Sequence, residues 1–195
     1  MDYITYALGL IIFLMLIKIC VDSDYFFLTC IISPVDNEKY CVRQRKNIDE
    51  AVELLSTMNN KLKELVKYVH KKYPNKDAVK RLHERYNPKK VIEISPISQH
   101  TAYSENKGEK LAFCLNKERN IHSSMIDINT LVFVGIHELS HIASVTKGHG
   151  DEFWDNFKFL LENAVEAKIY KPVNYNKNNT QYCGMKITDS PIYDL

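Results

Sequence analysis

Residues 134–154, VGIHELSHIASVTKGHGDEFW, combine three histidines with two glutamates in an otherwise apolar stretch. His137 and His141 are four residues apart, so on a helix their side chains lie on one face, one turn from each other. Two imidazoles in this relation can bind one metal ion, and Zn²⁺ accepts neutral nitrogen ligands in a tetrahedral site. Glu138 directly follows the first histidine, and we expect it beside the metal as a base rather than as a ligand.

A hydrolytic zinc site needs three protein ligands and a fourth position that is open to water. His149 is the predicted third ligand, because Gly148 can adopt a left-handed conformation that ends the helix and turns the chain back. Asp151 and Glu152 remain alternatives for this position, since carboxylates also bind zinc. The pattern therefore predicts one Zn²⁺ per chain, bound by the two helical histidines and a third ligand just beyond them.

These residues require a helix that holds them and a second element that packs on it. Apolar side chains surround the predicted helix over residues 126–145 on almost every side, which indicates a central, buried position. Asp151 and Glu152 begin a second helix, where acidic residues favour the positive end of the helix dipole. The aromatic and aliphatic residues that follow would clamp the first helix and fix the position of His149.

The remainder of the chain predicts a mixture of helices and short strands. Helical periodicity covers residues 48–73 and, more briefly, residues 77–86. VIEIS at 91–95 alternates as a strand does, and residues 101–115 read as two strands around an Asn-Lys-Gly turn. The tail after Tyr170 is expected to be an irregular segment that wraps the domain.

The N-terminus has a different composition. Residues 3–21 form an apolar stretch of nineteen residues interrupted only by Lys18, close to the roughly 20 residues that a helix needs to cross a bilayer. We expect an uncleaved transmembrane helix, with a buried core helix as the alternative. The predicted organisation is a membrane anchor and connecting segment over residues 1–35, followed by one domain over residues 36–195.

The charges and the cysteines of the chain indicate where this domain lies and which partners it could have. Basic residues follow the apolar stretch and none precedes it, so the positive-inside rule predicts a single-pass membrane protein with a cytosolic C-terminal domain. Lys and Arg total 26 and Asp and Glu total 24, which gives no signal for direct nucleic-acid binding. The five cysteines are odd in number and form no CxxC pair, so we expect them to be reduced.

The stretch HELSHIASVTKGHGDEFW resembles the active-site segment of the WLM and SprT-like zinc metallopeptidases. That family has the pattern His-Glu-x-x-His, a short turn with glycine, a third histidine, and an aromatic pair on the next helix. NKGEKLAFCLN before the motif and YCGMKITDSP in the tail resemble WLM-like peptidases of large DNA viruses. The similarity covers most of the chain beyond the apolar N-terminus.

The resemblance implies a compact α+β, zincin-like (minigluzincin-type) domain. Its parts would be a central HExxH helix, a small, mostly antiparallel sheet with KLAFCL as a possible edge strand, and covering helices. It also implies His137, His141 and His149 as zinc ligands and Glu138 as the general base.

The expected function is zinc-dependent hydrolysis of peptide bonds, in which Glu138 takes a proton from the metal-activated water. The substrate would be a protein or peptide, and residues 3–21 would contact the membrane. A second oxyanion donor remains open among five side chains: Tyr103, His122, Tyr170, Tyr175 and Tyr182. Two other functions remain possible, a catalytically silent zinc-binding scaffold at a membrane and an adaptor whose helix over residues 48–73 binds partner helices.

Overall fold

The computed structural model describes residues 3–22 and 27–193, and within the first range it describes side chains as far as Lys18. The described chain has an α+β architecture of five helices and seven strands. The helices are α1 (Tyr3–Asp22), α2 (Ile48–Lys72), α3 (Asp77–Arg85), α4 (Ile128–Ala143) and α5 (Asp151–Glu166). The strands are β1 (Leu28–Ile32), β2 (Lys39–Arg43), β3 (Val91–Glu93), β4 (Ala102–Glu105), β5 (Lys110–Phe113), β6 (Thr180–Tyr182) and β7 (Met185–Ile187).

Five of the strands form one sheet in the order β1-β2-β3-β5-β4. The β1–β2 and β4–β5 pairs are antiparallel, whereas the β2–β3 and β3–β5 pairs are parallel. The sheet is therefore mixed, and the expectation of a mostly antiparallel sheet is wrong. Two strands that are separated along the chain by a helix can pair in parallel, and α2 and α3 provide that connection between β2 and β3.

The edge strand next to the helices is β4, and β5 lies inside the sheet between β3 and β4. This corrects the expectation that KLAFCL forms the edge. The residues of β5 pair on both sides, with Leu111 opposite Val91 on one strand and Ser104 on the other. Leu111, Ala112 and Phe113 are fully buried, as residues of an internal strand usually are.

Helix α4 lies at the centre of the fold and packs against α2, α3, α5 and β4. Its contact with α2 is close, because a Cβ added at Gly135 would lie 2.9 Å from Leu62 Cδ1 and 3.2 Å from Met58 Sδ. Leu55, Leu62 and other residues of the apolar face of α2 are fully buried. The predicted amphipathic helix over residues 48–73 is thus confirmed, and its apolar face covers the helix that carries the motif.

Four of the five cysteines form two disulfides in the structure. Cys30 and Cys41 join β1 to β2, and Cys114, just after β5, joins Cys183 in the turn between β6 and β7. The expectation of reduced cysteines is therefore wrong for these four, and the side chain of Cys20 lies outside the described residues. The second disulfide also fixes the tail, which forms the β6–β7 hairpin rather than a wholly irregular segment.

The predicted transmembrane helix over residues 3–21 is not supported. Within the described residues, no helix is long and apolar enough to cross a membrane. The prediction of a single-pass membrane protein depended on this helix and is not supported either. The buried-helix alternative is also wrong, because these side chains are exposed.

Two glycines with positive φ, one in the β4–β5 turn and one in the α4–α5 loop, should differ in how much stability is lost when alanine replaces them. Gly108 has φ 114°, and an added Cβ would lie 2.6 Å from the backbone oxygen of Arg85, whereas Gly148 has φ 82° and open space around it. We expect Gly148→Ala to lower the free energy of unfolding by about 1 kcal/mol through backbone strain alone, and Gly108→Ala to lower it by about 3 kcal/mol. Urea unfolding of the full chain measures both, and equal losses would contradict the packing at Gly108.

Candidate metal centre

The site is built on α4, which begins with a side-chain cap. Asp127 accepts hydrogen bonds from the backbone N–H of Thr130 at 2.9 Å and from its hydroxyl at 2.7 Å. Such a cap satisfies a donor that the first helical turn would otherwise leave unpaired. From Thr130 to Ala143 every residue is buried except His137 and His141, which are half-buried. The helix therefore exposes these two imidazoles in an otherwise covered surface.

The structure brings the three predicted histidines together. One ligand atom from each of His137, His141 and His149 lies within 4.8 Å of the others. Nε2 of His149 and Nε2 of His137 lie 3.1 Å apart. His149 comes from the loop between α4 and α5, and its ring contacts the Phe153 ring at a centroid distance of 4.6 Å. Its position thus depends on the packing of α5 against α4, as the sequence predicts.

Burial keeps the two helical histidines neutral. Loss of solvent, with smaller contributions from the neighbouring histidines, lowers the pKa of His137 from 6.5 to about 3. The same effect lowers the pKa of His141 to about 4. Since neutral imidazole is the form that binds a metal ion, both residues are ready to act as ligands at neutral pH.

Glu138 is almost fully buried beside these histidines, with 5% of its surface exposed. Burial raises the pKa of its carboxyl group from 4.5 to about 8 in the metal-free protein. Burial of this kind is how proteins tune a carboxylate toward proton transfer near neutral pH. Glu138 and the three histidines line the same cavity.

The cavity has a volume of about 820 Å³. One side is formed by residues 100–104 of β4 and the segment before it, and another by residues 185–189 of β7 and the segment after it. Apolar side chains beside the histidines, Phe133, Val134, Trp154 and Phe157, provide much of the remaining wall. The tail of the chain, for which the sequence predicted only wrapping, thus contributes a wall of the cleft.

The structure separates the five candidate oxyanion donors. Tyr103 and Tyr182 line the cavity, whereas His122, Tyr170 and Tyr175 are not among its lining residues. Tyr182 is buried and donates its hydroxyl hydrogen to the carbonyl of Thr101 at 3.1 Å. Tyr103, half-buried on the edge strand, and the buried Tyr182 are therefore the two of the five candidates that lie in the cleft.

His100 lines the same cavity and was not singled out from the sequence. Its ring lies 5.8 Å from that of Tyr103. No sequence motif or spacing identifies His100. It lies at the cleft because the segment before the edge strand β4 borders it.

The two carboxylates that could have replaced His149 do not join the cluster. Glu152 accepts hydrogen bonds from the backbone N–H groups of Val145 and Thr146 at 2.9 and 3.0 Å. These bonds lower the pKa of Glu152 to about 2. Glu152 is thus an anchor for the loop, and Asp151 is an exposed residue at the start of α5.

Comparison with known proteins identifies viral relatives. The chain is 27% identical over 161 residues to uncharacterized protein R325 of Acanthamoeba polyphaga mimivirus, covering 80% of this chain and 81% of that protein. It is 29% identical over 69 residues to uncharacterized protein 136R of Invertebrate iridescent virus 6, covering 35% and 38% of the two chains. No family model matches the chain.

The chain also has a distant similarity to solved structures of Wss1. Wss1 from Saccharomyces cerevisiae superposes with a TM-score of 0.48 and 17% identity, over 65% of this chain and 87% of that one. A mutant of the same protein gives a TM-score of 0.49 and 16% identity, over 65% and 88% of the two chains. Both likenesses are distant, so the function proposed below rests on the geometry of the site.

The buried carboxyl group predicts a specific pH dependence in the metal-free protein. An unfolded chain ionises Glu138 near pH 4.5, whereas the folded protein keeps it protonated up to about pH 8. The wild type should therefore lose stability relative to Glu138→Gln as the pH rises through this window, by at most about 1.4 kcal/mol per pH unit. Urea unfolding with a chelator at pH 5, 6.5 and 8 measures the difference, and a difference independent of pH would contradict the burial of this group.

Proposed function

We propose that the protein is a zinc-dependent metallopeptidase that hydrolyses peptide bonds with Glu138 as the general base. The observation that supports this most directly is the convergence of three histidine nitrogens in one cleft that also contains a buried glutamate. A cleft bordered by an edge strand gives a peptide access to these groups.

The donor set fits Zn²⁺. Three imidazole nitrogens, two of them held neutral by burial, match the ligands that zinc takes in catalytic sites. Sites for Mg²⁺ or Ca²⁺ use mostly oxygen ligands, which this cluster does not supply. In the part of the chain that the structure describes, no fourth His, Cys, Asp or Glu joins the three histidines.

When bound, zinc would lower the pKa of a water molecule toward about 7 and polarise the substrate carbonyl. Glu138 would accept the proton of the attacking water on its carboxylate and then deliver it to the leaving amine. Its burial next to His137 suits both transfers, because the pKa of a carboxyl group in such a place can lie close to neutral pH. Tyr103, on the edge strand that lines the cleft, would donate a hydrogen bond to the developing oxyanion.

The substrate would be an extended segment of protein or peptide. Strand β4 ends the described sheet and lines the cleft, so a peptide could pair with its outer edge through backbone hydrogen bonds. Such pairing aligns a peptide with little dependence on its side chains. The wall that includes Phe133 and Trp154 would then receive an apolar side chain near the bond that is cleaved.

The alternative functions are less well supported by the structure. A structural zinc site usually has four protein ligands, whereas the cluster in the described residues has three. The adaptor hypothesis requires α2 to offer its apolar face to a partner helix. That face is buried, since Val52, Leu55, Leu62 and Leu65 have at most 1% of their surface exposed.

The full-length protein should contain one zinc ion per chain and cleave an unfolded protein such as casein. Replacing Glu138 by Gln should preserve the zinc content and lower the cleavage rate about 100-fold or more, because the general base is lost. His149→Ala should lose most of the zinc and the activity together. Metal analysis of each variant and the release of fluorescent casein fragments provide the two measurements.

A chelator that removes zinc should abolish cleavage, and added zinc should restore it. Stoichiometric zinc in a protein that cleaves nothing, with Glu138→Gln indistinguishable from the wild type, would favour the catalytically silent scaffold. Cleavage that is equally fast in Glu138→Gln would exclude this residue as the base.

A further inference from the structure

The third histidine, His149, lies on a loop whose residues do little to fix the conformation of the loop. Residues 145–150 between α4 and α5 are all exposed, and His149 lies between two glycines. An exposed loop with glycines is flexible in isolation, and ordering it costs conformational entropy. A precise ligand position therefore requires contacts from outside the loop.

Lys107 provides one set of these contacts. It lies in the turn between β4 and β5, with φ 57°. Its ammonium group donates hydrogen bonds to the carbonyls of His141 at 3.1 Å, Ser144 at 3.0 Å and Thr146 at 2.7 Å. The three donors of a lysine are thus matched by three backbone oxygens at the end of α4 and in the loop. A cation at this position also interacts favourably with the negative end of the α4 dipole.

Glu152 of α5 binds the N–H groups of the same loop. Its carboxylate accepts hydrogen bonds from the backbone N–H groups of Val145 and Thr146, and from the Thr146 hydroxyl at 2.9 Å. Arg81 of α3 donates to Glu152 at 3.2 Å and to the carbonyl of Ala143 at 2.8 Å. Thr146 therefore has its carbonyl bound by one charged side chain and its N–H by another.

We propose that Lys107 and Glu152 are positioning residues that clamp the backbone of Thr146 and thereby place His149 for metal binding. Both are charged partners of backbone groups, and such hydrogen bonds are stronger than those between neutral groups. The clamp also connects the zinc ligand to the turn of the substrate-binding edge strand. This inference rests on the proposed function, because it takes His149 as a zinc ligand.

The test is a double-mutant cycle on zinc affinity in the full-length protein. Competition with a chromophoric chelator measures the zinc dissociation constant of wild type, Lys107→Met, His149→Ala and the double variant. We expect Lys107→Met to weaken zinc binding roughly 10- to 100-fold, the range typical for residues that orient a ligand. In the His149→Ala background the same substitution should have no further effect, because the residue that it positions is absent.

Glu152→Gln should behave in the same way, since the carboxylate uses one oxygen for Val145 and the other for Thr146, whereas an amide has one oxygen acceptor and an NH₂ group that only donates. Asp151→Asn is its matched control, because it removes the neighbouring charge at the start of α5 without touching the loop anchors. Lys147→Met is the corresponding control for Lys107, since it removes a lysine from the loop itself. Both controls should keep wild-type affinity, and Lys107→Arg should recover part of it.

Failure of the clamp and failure of the metal site give different results. If His149→Ala weakens zinc binding but Lys107→Met and Glu152→Gln do not, the clamp is overturned and the site stands. An equal effect of Lys107→Met in both backgrounds would also overturn it, because the residue would then act through general stability. Zinc binding that is absent, or unchanged in His149→Ala, would overturn the proposed site and the clamp together.

Discussion

The burial of α4 is the constraint on which the rest of the structure depends. This helix is covered by α2, α3, α5 and the edge of the sheet, and the half-buried imidazoles of His137 and His141 are the exceptions between Thr130 and Ala143. A helix fixed on so many sides gives its few accessible side chains a defined direction. It also removes them from water, which keeps the histidines neutral and raises the pKa of Glu138.

Such a helix supplies two ligands, because a third residue on the same face would lie a further turn, about 5.4 Å, along the axis and too far from the first to share one ion. The third ligand must come from another element, and here it comes from a loop. A rigid helix can be ordered by its own hydrogen bonds and its packing, but an exposed loop cannot. Order in this loop is supplied from outside by Lys107 of the β4–β5 turn, Glu152 of α5 and Arg81 of α3. Their side chains bind backbone groups in the loop and at the end of α4.

Much of this could be predicted from local sequence patterns. The long helix, the β4–β5 hairpin, the motif helix and the histidine after Gly148 all depend on spacing within about 25 residues. One detail of the loop was different: α4 ends at Ala143, five residues before Gly148, with Ser144 in an extended conformation. Gly148 still has a positive φ, but it turns the loop rather than ending the helix.

The features that sequence reasoning missed depend on contacts between distant segments. The parallel pairing of β3 with β5, the Cys114–Cys183 disulfide and the cleft wall near β7 have no local signal. Lys107 reads as a turn residue, and its role becomes visible only when the turn is placed against the end of α4. The N-terminal stretch was interpreted from its composition alone, and the structure does not support that interpretation.

X-ray absorption at the zinc edge tests the three-histidine site most directly. The full-length protein should show nitrogen or oxygen ligands at about 2.0–2.1 Å with three imidazole scattering patterns and one further light atom, and no sulfur at about 2.3 Å. His149→Ala should retain at most two imidazoles. A sulfur ligand, a fourth imidazole, or a spectrum unchanged by the substitution would contradict an open site formed by His137, His141 and His149.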